Sequence, residues 1–417
     1  MKILVVSQYF WPEVFRINDI CDGLTQRGHS VDVLTSLPNV PQGKFYEGYG
    51  WFRRGPKTHN GVNIERVGVV ERSKSNKVMW ALNCASFAIN SLFHLPKLAR
   101  RDYDAIFVFN NSPVTVIFPA MVMRWIKKIP NLVFVLDIWP ESLYSLLDAP
   151  RINKNTLFYK ISFAVSRWLY KSADTLLISS KGFEQKLKDM GLTAPMPYFP
   201  NYAEPVLREE GFTVSREQFG FEENDFVVGF AGGMGVAQGI DLIVRAADRI
   251  REETHIKYLF MGDGTEFLKI KKLVEDLGLT ERFVFTSWVA MPQLPAHMEL
   301  CDVMMMALKD NEVLNITVPA KLQTYMHERK PVIAFMNGAG ADAVTESGCG
   351  VAVEAENIAQ LADTILSLSK TDKAALAQMG ENGYHYCSTA FEREQVLDLL
   401  EQELQKAVAQ GKGNKKK

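Results

Sequence analysis

The sequence predicts an α/β protein made of two doubly wound, mostly parallel sheets in tandem. Three observations predict it. The chain has 417 residues, more than one ordinary core accommodates. Near-continuous apolar runs alternate with helical stretches, the pattern of strands covered on both faces. The alternation then stops at a proline-rich segment and starts again.

In the first half the runs are "KILVVS", "SVDVLTS", "AIFVFN", "NLVFVLD" and "TLLISS". All are rich in β-branched residues, which suit a pleated, buried surface. "PYFPNYAEP" breaks the pattern with three prolines, and a polar stretch follows it. In the second half "FVVGFAGG", "IKYLFMGDG", "RFVFTSWV", "VMMMAL" and "PVIAFM" repeat the scheme, with "GIDLIVRAADRI" and "EFLKIKKLVEDLG" as helices between them. The expected boundaries are a first domain at 1–202 and a second at 203–388. A terminal helix at 389–410 is expected to cross back to the first domain. A basic tail at 411–417 is expected to be disordered. Ligands of such sheets sit beyond the carboxyl ends of the strands, here in a cleft between the two domains.

Composition narrows the function. Hydrophobic residues make up 47% and charged residues 23%, and the formal net charge is −1. That balance gives no reason to expect nucleic acid. The five cysteines are scattered without metal-ligand spacing, which fits reduced thiols in the cytoplasm. The opening "MKILVV" is too short for a signal peptide and leads straight into a loop.

One segment qualifies a purely soluble reading. "VMWALNCASFAINSLFHLP", residues 78–96, carries no Asp, Glu, Lys or Arg. Its length approaches that of a spanning helix. However, Asn83, Ser86, Asn90, His94, Lys97 and Arg101 fall on one helical face, which argues against spanning. Two readings stay open. The helix packs on its own domain, or its apolar side meets a membrane while Lys74, Lys77, Lys97, Arg100 and Arg101 meet anionic head groups.

Four stretches and the opening loop carry candidate chemistry. In "FAGGMGVAQGIDLIVRA", Gly232, Gly233, Gly235 and Gly239 surround the entry to a helix. Bare backbone and free N–H groups there suit a diphosphate, although a tight turn alone explains the glycines. "MGDG", with Gly262 and Asp263, ends the next strand. In "NITVPAKLQTYMHERKPVIA", Thr317 and Pro319 precede a helix that carries Lys321 in its first turn. A lysine there opposes the helix dipole, and a bound diphosphate would compensate. In "VLDIWPES", Asp137 or Glu141 is placed to orient or deprotonate a hydroxyl, and Trp139 to stack on a sugar. The bland alternative is a capping Asp137 and a core tryptophan. The loop "SQYFWPEVFRIND" lacks a glycine cradle and offers Trp11, Glu13 and Arg16 instead. Trp11 and Glu13 are candidate sugar contacts, and Arg16 a phosphate contact. Packing by Trp11 and helix capping by Asn18 or Asp19 are the alternatives.

Together these stretches resemble the family 4 glycosyltransferases of the GT-B fold, across nearly the whole chain. "SQYFWPEVFRINDICDGLTQRGHSVDVLTSLPNVPQGKFYEGY" and "VLDIWPESL" look like the WbuB-type subgroup of bacterial surface-polysaccharide biosynthesis. The resemblance implies a retaining transfer of an amino sugar, N-acetyl-L-fucosamine being favoured, from a UDP-sugar. The implied acceptor is a sugar on an undecaprenyl diphosphate carrier. No essential metal or other cofactor is implied, and the place of action is the cytoplasmic face of the plasma membrane. Arg16, Asp137 and Lys321 are the implied catalytic residues. Gly232, Gly233, Gln238, Gly262, Asp263, Thr317, Lys321 and Thr324 are the implied donor contacts, and Trp11, Glu13, Trp139 and Glu141 the acceptor contacts. Several positions depart from the family pattern. Met234 and Gln238 stand near its usual arginine and lysine, and Ile316 and Thr324 stand at its two glutamates. Glu312, Lys321 and Arg16 are the candidates to supply the missing charges. A nucleotide-sugar 2-epimerase and a non-catalytic nucleotide-sugar binder are the rival readings.

Overall fold

A computed structural model describes residues 1–73, 76–146, 153–203 and 208–414. The chain divides into two units. One comprises Met1–Pro200 together with the chain from Glu394 onward, and the other comprises Asn201–Arg393.

The first unit is built on seven strands: β1 Lys2–Val6, β2 Ser30–Ser36, β3 Thr58–His59, β4 Val62–Val67, β5 Ala105–Asn110, β6 Asn131–Val135 and β7 Thr175–Ile178. Their spatial order is β3-β4-β2-β1-β5-β6-β7, and every neighbouring pair is parallel except β3 with β4. The second unit has six: β8 Phe226–Ala231, β9 Ile256–Met261, β10 Phe283–Ser287, β11 Val303–Ala307, β12 Val332–Phe335 and β13 Gly350–Val353. They lie in the order β10-β9-β8-β11-β12-β13, all parallel. Setting β3 aside, both units share one doubly wound order. Each therefore has a switch point where its first strand meets its fourth, β1 with β5 and β8 with β11.

The expected strands are present, and three more join them, β4, β13 and the two-residue β3. β4, "VNIERV", was hidden by its charges, which are satisfied by tertiary partners. Glu65 pairs with His94 and Lys97, and Arg66 is buried with its guanidinium donating to the carbonyls of Trp11, Arg54 and Pro56. β13, "GVAV", is too short to stand out.

The last helix starts at Arg393, because the preceding helix Lys373–Ala390 runs past the expected boundary. It packs in the first unit, where Arg27 pairs with Glu394 and Asp398 and His29 faces Glu401. Residues 411–414, expected in the disordered tail, are helical. Extending an existing helix is cheap per residue, and a methyl on Gly411 would lie 3.7 Å from Pro130. Residues 415–417 and Lys74 lie outside the described residues. Among the described residues no helix is long and apolar enough to cross a membrane. The apolar segment 78–96 forms two helices, Lys77–Ser91 and Leu95–Ala99.

Candidate active site

At the switch point of the second unit, the turn after β8 leaves its backbone bare. Gly232 and Gly233 are exposed, and Gly232 has φ +127°. Around Gly233 a β-carbon would meet no atom within 4 Å. The neighbouring turn after β9 locks against it. Gly262 has φ +147°, and a β-carbon there would lie 2.0 Å from the Gly232 carbonyl oxygen. A methyl on Gly264 would come within 2.3 Å of the Met234 oxygen. Met234 donates its N–H to Asp263 O, and Gly264 donates its own to Asp263 Oδ1. Gly262 and the Asp263 backbone thus hold the turn in shape.

The departures from the family pattern have local explanations. Met234 is fully buried in the core, where no charge is tolerated without a partner. Gln238 accepts a hydrogen bond from Gly235 N–H at 3.0 Å and closes the short turn before the helix Ile240–Arg249.

Lys321 is the unusual group here. Its Nζ is buried with no hydrogen-bond partner among the described residues. It sits 4.1 Å from the Phe230 ring centroid, and a methyl on Gly232 would lie 3.3 Å from it. Burial pulls the ammonium down to about 8. A buried cation with no hydrogen bond, beside exposed glycine backbone, is arranged to receive an anion. Thr317 turns its hydroxyl back onto Val313 O at 2.8 Å. Thr324 lies half-buried in the helix Lys321–His327, Ile316 is half-buried, and Glu312 is exposed on the loop after β11.

Sequence reasoning passed over the residues that brace this loop. Asp310 accepts hydrogen bonds from the side-chain amides of Asn315 and Asn337, and these hold its carboxyl below the usual range. Asn315 O accepts the Ala339 N–H, and a methyl on Gly338 would lie 2.0 Å from that oxygen. The dipeptide Asn337–Gly338 marked a turn. Asp310 gave no signal.

The first unit treats its equivalent loop differently. Glu13 is 1% exposed, and its Oε1 accepts the N–H groups of Asn39 and Val40 at 2.7 and 2.8 Å. Burial pushes its carboxyl up to about 7, against the pull of those hydrogen bonds. Trp11 stacks on His59 at 4.3 Å between centroids, and its carbonyl accepts from Arg66. Asn18 accepts the Trp11 N–H and donates to Glu13 O. Glu13 and Trp11 therefore brace the loop: Glu13 is shut away from solvent, while Trp11 is half-buried with one face taken by His59. Arg16 opens the helix Arg16–Gln26 and is half-buried.

Past β6, Asp137 is half-buried, and burial pushes its carboxyl up to about 6. A hydrogen bond with Ser112 counters part of that rise. The Ser112 hydroxyl also accepts from Trp139 Nε1 at 2.8 Å. Ser112, in the loop after β5, has φ +29° and was not singled out from sequence. Trp139 is buried and stacks on Trp80, and the backbone carbonyl of Asp137 accepts from Tyr170 OH. Glu141 is buried and accepts from Tyr159 OH. Of the residues at the end of β6, Asp137 is the carboxylate suited to meet an acceptor hydroxyl, ionised at neutral pH and still basic.

Residues 212–386 match the family described as Glycosyl transferases group 1, and residues 14–201 match the Glycosyl transferase 4-like domain. The putative colanic acid biosynthesis glycosyl transferase WcaI of Escherichia coli K12 is 25% identical over 70% of this chain and 74% of its own. The probable glycosyltransferase WbjE of Pseudomonas aeruginosa is 23% identical over 73% and 76%. Among solved structures, sucrose-phosphate synthase from Thermosynechococcus elongatus superposes with a TM-score of 0.75 at 16% identity, covering 98% of this chain and 99% of that one. Anabaena Alr3699/HepE in complex with UDP and glucose gives 0.69 at 17%, covering 97% and 100%. The fold is GT-B, and with both units matched the chain belongs to the group 1 glycosyltransferases with a 4-like amino-terminal domain.

Proposed function

We propose that this glycosyltransferase moves an N-acetylated amino sugar, N-acetyl-L-fucosamine being favoured, from a UDP-sugar to a sugar on an undecaprenyl diphosphate carrier. The transfer retains anomeric configuration and needs no essential metal. It takes place at the cytoplasmic face of the plasma membrane, in surface-polysaccharide assembly of the WbuB type. The observation that carries the donor side is the buried, unpartnered Lys321 ammonium beside the exposed Gly232 turn. Negative charge grows on the departing nucleotide diphosphate, and a pre-placed cation and backbone N–H groups stabilise it without reorganisation. Asp137 orients the acceptor hydroxyl, while the leaving phosphate takes its proton. Two comparisons support the substrate classes. HepE forms complexes with UDP and with UDP-glucose, and WcaI is named for colanic acid biosynthesis.

The test is a donor screen by mass spectrometry. The full-length protein is incubated with UDP-, GDP- and dTDP-sugars and a short-chain lipid-diphosphate-GlcNAc acceptor, without added metal. A mass increment from one UDP-amino sugar is expected. An increment only from another nucleotide class would refute the donor assignment. A donor altered without transfer would identify an epimerase.

A further inference from the structure

Three helices of the first unit form one layer: Lys77–Ser91, Ile117–Lys127 and Leu157–Tyr170, with the middle one touching both others. Phe118 of the middle helix packs against Trp168, ring centroids 6.0 Å apart.

The first of these helices buries Cys84, Phe87 and Ala88 together with polar side chains, and leaves other apolar residues outside. Its polar side faces the protein. Asn83 is fully buried, donates to Val70 O and accepts from Gln8, Ser86 accepts from Val70 N–H, and Asn90 donates to Gly68 O. Those side chains satisfy the backbone beyond β4. Left to solvent are Val78, Leu82 and Ile89, exposed at helical spacing, and Phe93 just beyond. The third helix repeats this outward pattern. Ile161, Val165 and Trp168 form a stripe, with Ile161 55% and Trp168 47% exposed. Trp125 and Ile126 of the middle helix are exposed as well.

The charges these three helices themselves carry are of one sign. They are Lys77, Arg124, Lys127, Lys160 and Arg167, with not one Asp or Glu. Arg124 is paired with Asp174 and Lys127 lies 3.6 Å from Asp102, while Lys77, Lys160 and Arg167 are exposed. An ordinary solvated face mixes signs. In the second unit, Ile240–Arg249 and Phe267–Asp276 carry acids as well as bases, and the exposed large hydrophobics there are Leu268 and Trp288 among the described residues.

We infer that the outward face of this three-helix layer docks on an anionic lipid surface. Exposed aromatic and branched side chains enter the boundary between head groups and acyl chains, while the exposed Lys77, Lys160 and Arg167 meet lipid phosphates. A second copy bound by the same face would set cation against cation. The inference rests on the peripheral membrane placement proposed above. It assigns the anchoring to the whole layer, including the helix Leu157–Tyr170.

Vesicle flotation of the full-length protein without sugar nucleotide tests this. Phosphatidylcholine vesicles are compared with vesicles containing phosphatidylglycerol. Binding is expected only to the anionic vesicles and is expected to weaken with salt. Ile161→Glu and Trp168→Glu should each reduce it about tenfold or more, since each buries a charge in place of apolar surface. Leu268→Glu, in the second unit, should bind as wild type. Thermal melting of each variant checks the fold. The inference is overturned if wild type ignores anionic vesicles, if both stripe variants bind undiminished, or if they instead dissociate a dimer in analytical ultracentrifugation. Transfer to a water-soluble acceptor is measured on the same samples. Vesicle binding without any transfer would sink the catalytic reading alone.

Discussion

The loops after β1 and β8 occupy the same place in two sheets of the same order, yet they use that place in opposite ways. After β1 the chain fills the space with its own side chains. Glu13 is tied to the backbone of Asn39 and Val40, and Trp11 is covered by His59 and Arg66. After β8 the chain removes side chains, exposes Gly232 and Gly233, and leaves the Lys321 ammonium buried beside them. The first arrangement is largely filled by its own side chains, although Glu13 Oε2 and Asn39 Oδ1 are buried without a hydrogen-bond partner among the described residues. The second leaves a buried cation beside bare backbone, the arrangement on which the proposed donor site rests.

The strongest way to break that contrast is Gly262→Ala. Its methyl would lie 2.0 Å from the Gly232 oxygen at a φ of +147°. A loss of about 4 kcal/mol is expected in urea unfolding, a size reserved for severe local strain. An unchanged midpoint would show that the two turns yield easily.

Lys321→Met separates binding from stability. Turnover should fall about 100-fold, as expected when one charge-stabilising group is lost. Stability should move the other way. The folded lysine titrates near 8, below its ordinary 10.5, so at pH 7 the unfolded state holds the proton more tightly. Stability then rises with pH between those values, and a neutral methionine should raise Tm at pH 7. A lower Tm would mean that the ammonium is already satisfied.

The smallest effect sharpens the other side. Glu13 titrates near 7 when folded and near 4.5 when free, so the native state binds the extra proton in that window. Wild-type stability should therefore fall as pH rises from about 4.5 to 7, by about 2 to 3 kcal/mol. Glu13→Gln keeps an acceptor for Asn39 and Val40 and should flatten that slope. Melting curves at pH 5, 6, 7 and 8 check it, and an unaltered slope would exclude Glu13 as the source.

The parallel strands were legible because burial on both faces leaves long apolar runs in the sequence. β4 was not, since its Glu65 is paired by His94 and Lys97 and its Arg66 is satisfied by the carbonyls of Trp11, Arg54 and Pro56, none of them adjacent in the chain. The glycine turn was legible because bare backbone must be written as glycine. What Glu13 and Trp11 do was not, because their orientation is set by Asn39, Val40, His59 and Arg66. Ser112 was invisible for the same reason. A hydroxyl between Asp137 and Trp139 has no periodicity to announce it. The charge-free segment 78–96 revealed its amphipathicity but not which side faces the protein.

The interlocked turns after β8 and β9 bear on how this enzyme is re-engineered. Gly262 is fitted against the Gly232 carbonyl and Gly264 against the Met234 backbone, so randomising Gly262 and Gly264 is expected to yield mostly unfolded clones rather than new specificities. Gly233, with open space around it, and the side chains at Thr317, Thr324 and Glu312 change without that penalty. A library directed to those four positions tests the proposed donor contacts while leaving the interlocked glycines intact.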